Sequence, residues 1–197
     1  MRVEMSFAKW AGRHVADEKI SKRYKKIDHN SHDYELWEKN CDVNMSIAIT
    51  GLSNNFVIID PALIGQWHVF KDIKHWGNRC DFLIIGELDD QPIAFFIELK
   101  KTMNHGEKRK AQKQLRWSRS ILHFALSTYN ISELATIHES DLTVKYLMVG
   151  QYSADTLTKL PTKINKTDLA YSCLYNDILI NYSLADVFSL TQLLNLD

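Results

Sequence analysis

Three charged residues flank apolar runs in the stretch Cys80 to Thr102, CDFLIIGELDDQPIAFFIELKKT. Asp81 heads the run Asp81-Phe82-Leu83-Ile84-Ile85, and Glu98 and Lys100 close the run Ile93-Ala94-Phe95-Phe96-Ile97. Two carboxylates held close beside apolar surface repel, which either raises a pKa or is relieved by a cation. A hard divalent ion such as Mg2+, with Mn2+ as a substitute, suits oxygen ligands of this kind and keeps waters for a phosphate and a nucleophile. Lys100 beside such an ion would orient an attacking water or stabilise charge on a phosphate oxygen. The chemistry implied is phosphodiester hydrolysis. Solvated charges at the ends of a surface hairpin are the plainer reading of the same letters.

The elements that would position these groups are a hairpin and a helix. Glu87-Leu88-Asp89-Asp90-Gln91-Pro92 separates the two apolar runs as a turn separates two strands. In an antiparallel pair the start of one strand lies beside the end of the next, which brings Asp81 near Glu98. Alternation then points Glu98 and Lys100 to one face and Leu99 to the other. The spacing of Ala111, Leu115, Ser118, Leu122 and Ala125 predicts a helix over Glu107 to Ala125 that packs on the sheet by this face. Gln114 lies next to that seam, whereas Lys110, Lys113, Arg116 and Arg119 lie off it and form the densest basic surface in the chain. A basic stripe beside carboxylates is how a chain of zero net charge would hold a polyanion. His75-Trp76-Gly77-Asn78-Arg79 runs directly into Asp81, so Arg79 is a further candidate for a phosphate.

Asp81 followed by Glu98-Leu99-Lys100 at the end of the next apolar strand, with a glutamine-bearing helix after it, resembles the PD-(D/E)XK superfamily of metal-dependent nucleases. The resemblance covers residues 80 to 126 and no more of the chain. It implies a restriction-endonuclease-like fold, with Asp81, Glu98 and the Leu99 carbonyl as metal ligands. It also implies that Lys100 and Gln114 act on the water and the groups around it. Members often add an acidic residue from an N-terminal helix, for which Glu35 is the choice over Glu38. The proline common before the aspartate is Cys80 here. Asp60-Pro61 has the reverse order and no Glu-X-Lys closely after it, so Asp81 is preferred.

Elsewhere the chain supplies scaffold. Phe7, Trp10, Ala11, Val15 and Ile20 suit one or two amphipathic helices between Met1 and Lys26, whose Lys19, Lys22, Arg23, Lys25 and Lys26 either meet phosphates or form a solvated face. Ser31 or Asp33 is expected to cap a short helix over Tyr34 to Lys39. His29, His32 and Cys41 lack a fourth ligand for zinc. Strands are expected at Ser46 to Thr50, Phe56 to Ile59, Trp67 to Phe70 and Leu142 to Val149. A short helix is expected over Ile131 to His138, a loop over Pro161 to Thr167, an edge strand over Asp177 to Tyr182 and a closing helix over Ser183 to Leu196.

The expected whole is a single α/β domain over residues 1–197. Residues 1–44 form an N-terminal helical part, 45–150 a central mixed sheet of four to six strands with helices on its faces, and 151–197 a C-terminal scaffold. With 45% hydrophobic and 24% charged residues the composition is that of a soluble globular protein. Lys+Arg and Asp+Glu both number 24, so any attraction for nucleic acid is local. Three scattered cysteines argue for a reducing compartment, and no signal-peptide core or membrane-length apolar run is present, which together point to the cytoplasm. The resemblance implies a nucleic-acid substrate, DNA in preference to RNA. The chain is short for a reader of a long site, which favours structure-selective or weakly sequence-selective cleavage, by a homodimer or beside a partner subunit. A non-catalytic nucleic-acid- or partner-binding module, or a cytosolic interaction protein that resembles the family by accident, are the other classes.

Overall fold

The computed structural model describes residues 6–14, 23–28, 31–40, 43–53, 55–61, 79–88, 91–100, 105–150, 170–175, 178–183 and 187–189. The expected strand over Trp67 to Phe70 and the loop over Pro161 to Thr167 lie outside them.

The hairpin forms as the sequence predicts. Strand β5 (Phe82–Leu88) pairs antiparallel with β6 (Gln91–Lys100), Phe82 opposite Ile97 and Leu88 opposite Gln91. Helix α2 (His105–Glu133) follows, longer at both ends than the apolar spacing indicated. It absorbs the start of the separate helix expected from Ile131, and a 3-10 turn at Glu139–Asp141 lies beyond it. Leu134 ends α2 in the left-handed conformation, φ 54°, and the Ala135 N–H donates to the Asn130 carbonyl, the bond that closes a Schellman cap. Strand β7 (Thr143–Gly150) then pairs parallel with β6, so β6, α2 and β7 make a crossover unit.

A six-stranded mixed sheet is built around this unit. Its order runs from β4 (Val57–Ile59) through β5, β6 and β7 to β9 (Ile178–Ser183) and β8 (Ala170–Tyr175). The expected edge strand over Asp177 to Tyr182 is therefore interior, and the edge belongs to β8, which pairs Tyr175 with Ile178.

Alternation divides the side chains of β5, β6 and β7 between two buried faces. Leu83, Ile85, Ala94, Phe96 and Met148 turn to the helices, where they meet Ala111, Leu115, Leu122 and Ala125 of α2 and Phe7, Ala8, Trp10 and Ala11 of α1 (Phe7–His14). Phe82, Ile84, Phe95, Ile97, Leu99 and Val149 turn the other way. There they are covered by a second sheet of four strands, ordered β1 (Tyr24–Lys26), β2 (Tyr34–Asn40), β3 (Val43–Thr50) and β10 (Val187–Ser189), through Tyr24, Leu36, Ile47 and Ile49. Each such large side chain buried contributes about 1.5–3 kcal/mol of transfer free energy.

The second sheet corrects three expectations. Tyr34 to Lys39 is a strand and no helix, because tertiary pairing outweighs local propensity: β2 ladders with both β1 and β3, from Tyr34 opposite Ile49 to Asn40 opposite Val43. Asp33 caps no helix; its Oδ1 accepts the Gly51 N–H at 2.9 Å, and Ser31 Oγ accepts the Asp33 N–H. Gly51 stands at φ 79° as the chain leaves β3, a conformation that favours glycine. Within the expected closing helix, Val187–Ser189 is a strand lying parallel to β3. Among the described residues of the N-terminal part only α1 is a helix, since Tyr24–Lys26 is also a strand. Among the described residues no helix is long and apolar enough to cross a membrane.

Candidate active site

Continuing the β5–β6 register one step beyond Phe82 opposite Ile97 sets Asp81 opposite Glu98. Asp81, Leu83 and Ile85 share the period-two face that meets the helices, as do Phe96, Glu98 and Lys100. Register and alternation thus gather the three charged residues at one corner of the hairpin, with Asp81 6%, Glu98 0% and Lys100 9% exposed. Burial of this kind is costly unless the charges are paired, and each is. Lys100 Nζ donates to Glu98 Oε1 from two residues along the strand. Asp81 Oδ2 accepts the Leu99 N–H at 2.8 Å, a bond that crosses the hairpin and fixes the carboxylate.

The approach to Asp81 is tied to α2. The Cys80 N–H donates to Ser118 Oγ at 2.6 Å, Ser118 donates on to the Gln114 carbonyl at 2.8 Å, and Gln114 Nε2 donates to the Arg79 carbonyl at 3.0 Å. Gln114 Oε1 is buried and accepts no hydrogen bond among the described residues. Cys80 is buried as a free thiol. Burial pushes this thiol far above its ordinary value; the Ser118 hydrogen bond opposes the rise, and the charges of Glu98 and Asp81 add to it. With 2% of its surface exposed, Cys80 serves as a packing residue.

The remaining sequence candidates divide. Arg79 Nη1 donates to the Pro61 carbonyl at 2.6 Å, and partial burial lowers the guanidinium pKa. Lys110, Lys113 and Arg116 are exposed on α2, off the packed face as their spacing predicts, while Arg119 pairs with Glu139. Glu35 stands on β2, where no helix exists to carry it to the corner, and its carboxylate pairs with Lys25 at 3.0 Å across the β1–β2 ladder. His29 and Cys41 lie outside the described residues.

Sequence reasoning missed the largest ionic contact of this region. Arg23, just before β1, reaches from the four-stranded sheet to the end of β4 and grips Asp60 with two bonds, Nε to Oδ2 at 2.7 Å and Nη2 to Oδ1 at 2.6 Å. The same guanidinium donates from Nη2 to the Asp81 carbonyl at 2.8 Å and from Nη1 to Asp81 Oδ1 at 3.3 Å, and it lies 5.1 Å over the Phe82 ring. A fork of this geometry matches carboxylates better than a lysine would. Asp60 marks the end of a strand, a visible signal, but its partner lies 37 positions away.

Among the described residues no three His, Cys, Asp or Glu side chains gather as a metal cluster. Mg2+ asks for less than that, because one or two carboxylates, waters and substrate phosphates satisfy it. Asp81 and Glu98, at facing positions of the hairpin, are the two carboxylates that could serve such an ion. Comparison with protein-family models, with curated proteins and with solved structures finds no match to this chain.

Proposed function

We propose that this chain is a Mg2+-dependent nuclease that hydrolyses DNA phosphodiester bonds at the Asp81, Glu98 and Lys100 corner. The observation that supports it most is the hairpin register, which sets two buried carboxylates at facing positions with a buried lysine on the same face. Each carboxylate also has a base beside it, Lys100 for Glu98 and Arg23 for Asp81, so a divalent ion would share or displace these partners.

Asp81, Glu98 and the Leu99 carbonyl would hold the ion, which when bound supplies a Lewis acid for the phosphate and a water of lowered pKa. The Leu99 N–H keeps Asp81 in one orientation through its Oδ2. Lys100 Nζ, now paired with Glu98, carries a positive charge at the place where negative charge would grow on a phosphate oxygen. Gln114 holds the Arg79 carbonyl and so steadies the segment entering Asp81, and its buried Oε1 has acceptor capacity to spare. Lys110, Lys113 and Arg116 offer exposed charge for the nucleic-acid backbone.

The test is cleavage of labelled single-stranded, double-stranded and branched DNA, and of RNA, with Mg2+, Mn2+ or EDTA. Wild type should cut DNA only with metal, and Glu98→Ala and Lys100→Ala should each lower the rate by about 10^2-fold or more. Cutting that survives both substitutions or EDTA would dismiss the corner. A second reading, a nucleic-acid- or partner-binding module that does not cut, is favoured by one feature, the ion pair that already engages Asp81 with Arg23. Salt-dependent DNA binding with no metal binding and no cleavage would select it.

A further inference from the structure

We infer that Arg23 is a built-in counter-ion of the corner, held by Asp60, which competes with a divalent cation for the Asp81 carboxylate. The inference rests on the reading of that corner as a metal site and concerns its regulation.

Three observations carry it. First, the Arg23 guanidinium contacts Asp81 at both its side-chain Oδ1 and its backbone carbonyl, 3.3 and 2.8 Å away, so a positive charge already stands beside this carboxylate. Second, Arg23 is not a passing surface cation. Two short bonds to Asp60, itself only 5% exposed, and the Phe82 ring beneath the guanidinium fix its position. Third, it belongs to another layer. Arg23 precedes β1 of the four-stranded sheet, whereas Asp60 and Asp81 flank strands of the six-stranded one, so the contact joins the two layers at the corner.

Charge sets the direction of the effect. A guanidinium a few ångströms from Asp81 repels an incoming divalent ion and occupies one carboxylate oxygen that the ion would use. Arg23 is 24% exposed, so an approaching phosphodiester, a better acceptor for its fork, can draw it from Asp81 while Asp60 keeps it nearby. The free chain would then bind metal weakly, and nucleic acid would raise the affinity.

The experiment is Mn2+ binding to the full chain, followed by calorimetry and by loss of the free-ion resonance signal, in wild type, Arg23→Gln, Asp81→Asn and Arg23→Gln/Asp81→Asn. Arg23→Gln should bind Mn2+ on the order of tenfold more tightly than wild type, and the gain should vanish when Asp81 is also replaced. Lys25→Gln removes the same charge from an exposed neighbour paired with Glu35 and should change binding by less than about twofold. Equal or weaker binding by Arg23→Gln, with Asp81→Asn still lowering affinity, would overturn the counter-ion and leave the metal site standing. Indifference of every form to Asp81→Asn would overturn the metal site itself. Because Arg23→Gln leaves Asp60 buried without its fork, wild type supplies a second readout, the Arg23 Nε–H resonance during Mg2+ titration. A shift that follows saturation supports displacement, and a stationary resonance while Asp81-dependent Mg2+ binding saturates refutes it.

Discussion

Ser118 is a serine on an otherwise apolar helix face, and its hydroxyl carries two roles at once. It accepts the Cys80 N–H and donates to the Gln114 carbonyl, with the whole residue out of water. Ser118→Ala would leave the Cys80 N–H buried without an acceptor, at a cost of about 1–3 kcal/mol. Urea denaturation followed by fluorescence should show that loss, and an unchanged midpoint would mean the bond contributes nothing. At this scale Asp81, Glu98 and Lys100 were legible because they are near in sequence and alternation alone sets their face. Arg23 was legible only as one member of a basic cluster, since its carboxylate partners lie 37 and 58 positions on. No local pattern announces such a pairing.

Among the elements, β5 and the segment before β4 approach so closely that a side chain has no room at one position. A Cβ on Gly86 would stand 2.0 Å from Phe56 Cδ1, and Phe56 is itself buried. Gly86→Ala should therefore destabilise the protein by about 1–3 kcal/mol through overpacking. Phe56→Leu in the same chain should recover part of the loss, a coupling that a thermal-melt double-mutant cycle would detect. Additive effects would mean the two positions do not clash. The hairpin, α2 and β7 were legible because each has a strong period and clear boundaries. The strand Tyr34–Asn40 was not, because its charged and aromatic mixture suits a short helix equally and only its ladders decide. The β8–β9 hairpin had left a local trace, two strand-like runs with two residues between them, of which only the second was recognised.

For the molecule as a whole, Lys+Arg and Asp+Glu balance at 24 each, so binding to a polyanion must come from where the charges stand. If α2 is the contact surface, Lys110→Ala and Lys113→Ala should each weaken DNA binding across sequences and reduce the slope of log affinity against log salt by roughly 1. Fluorescence anisotropy at several salt concentrations reads that slope directly, and a slope untouched by both changes would move the interface elsewhere. The α/β class and the central mixed sheet followed from the sequence. The second sheet did not, because it is assembled from β1, β2 and β3 near one end of the chain and β10 near the other.

That last pairing has a consequence for how the chain is made. Val187 lies beside Ala48, so β3 meets this neighbour only when residues ~140 positions later have been synthesised, on the order of 10 s at ribosomal speed. Throughout that interval the nascent protein carries an open strand edge, which a second nascent chain or a chaperone is free to occupy.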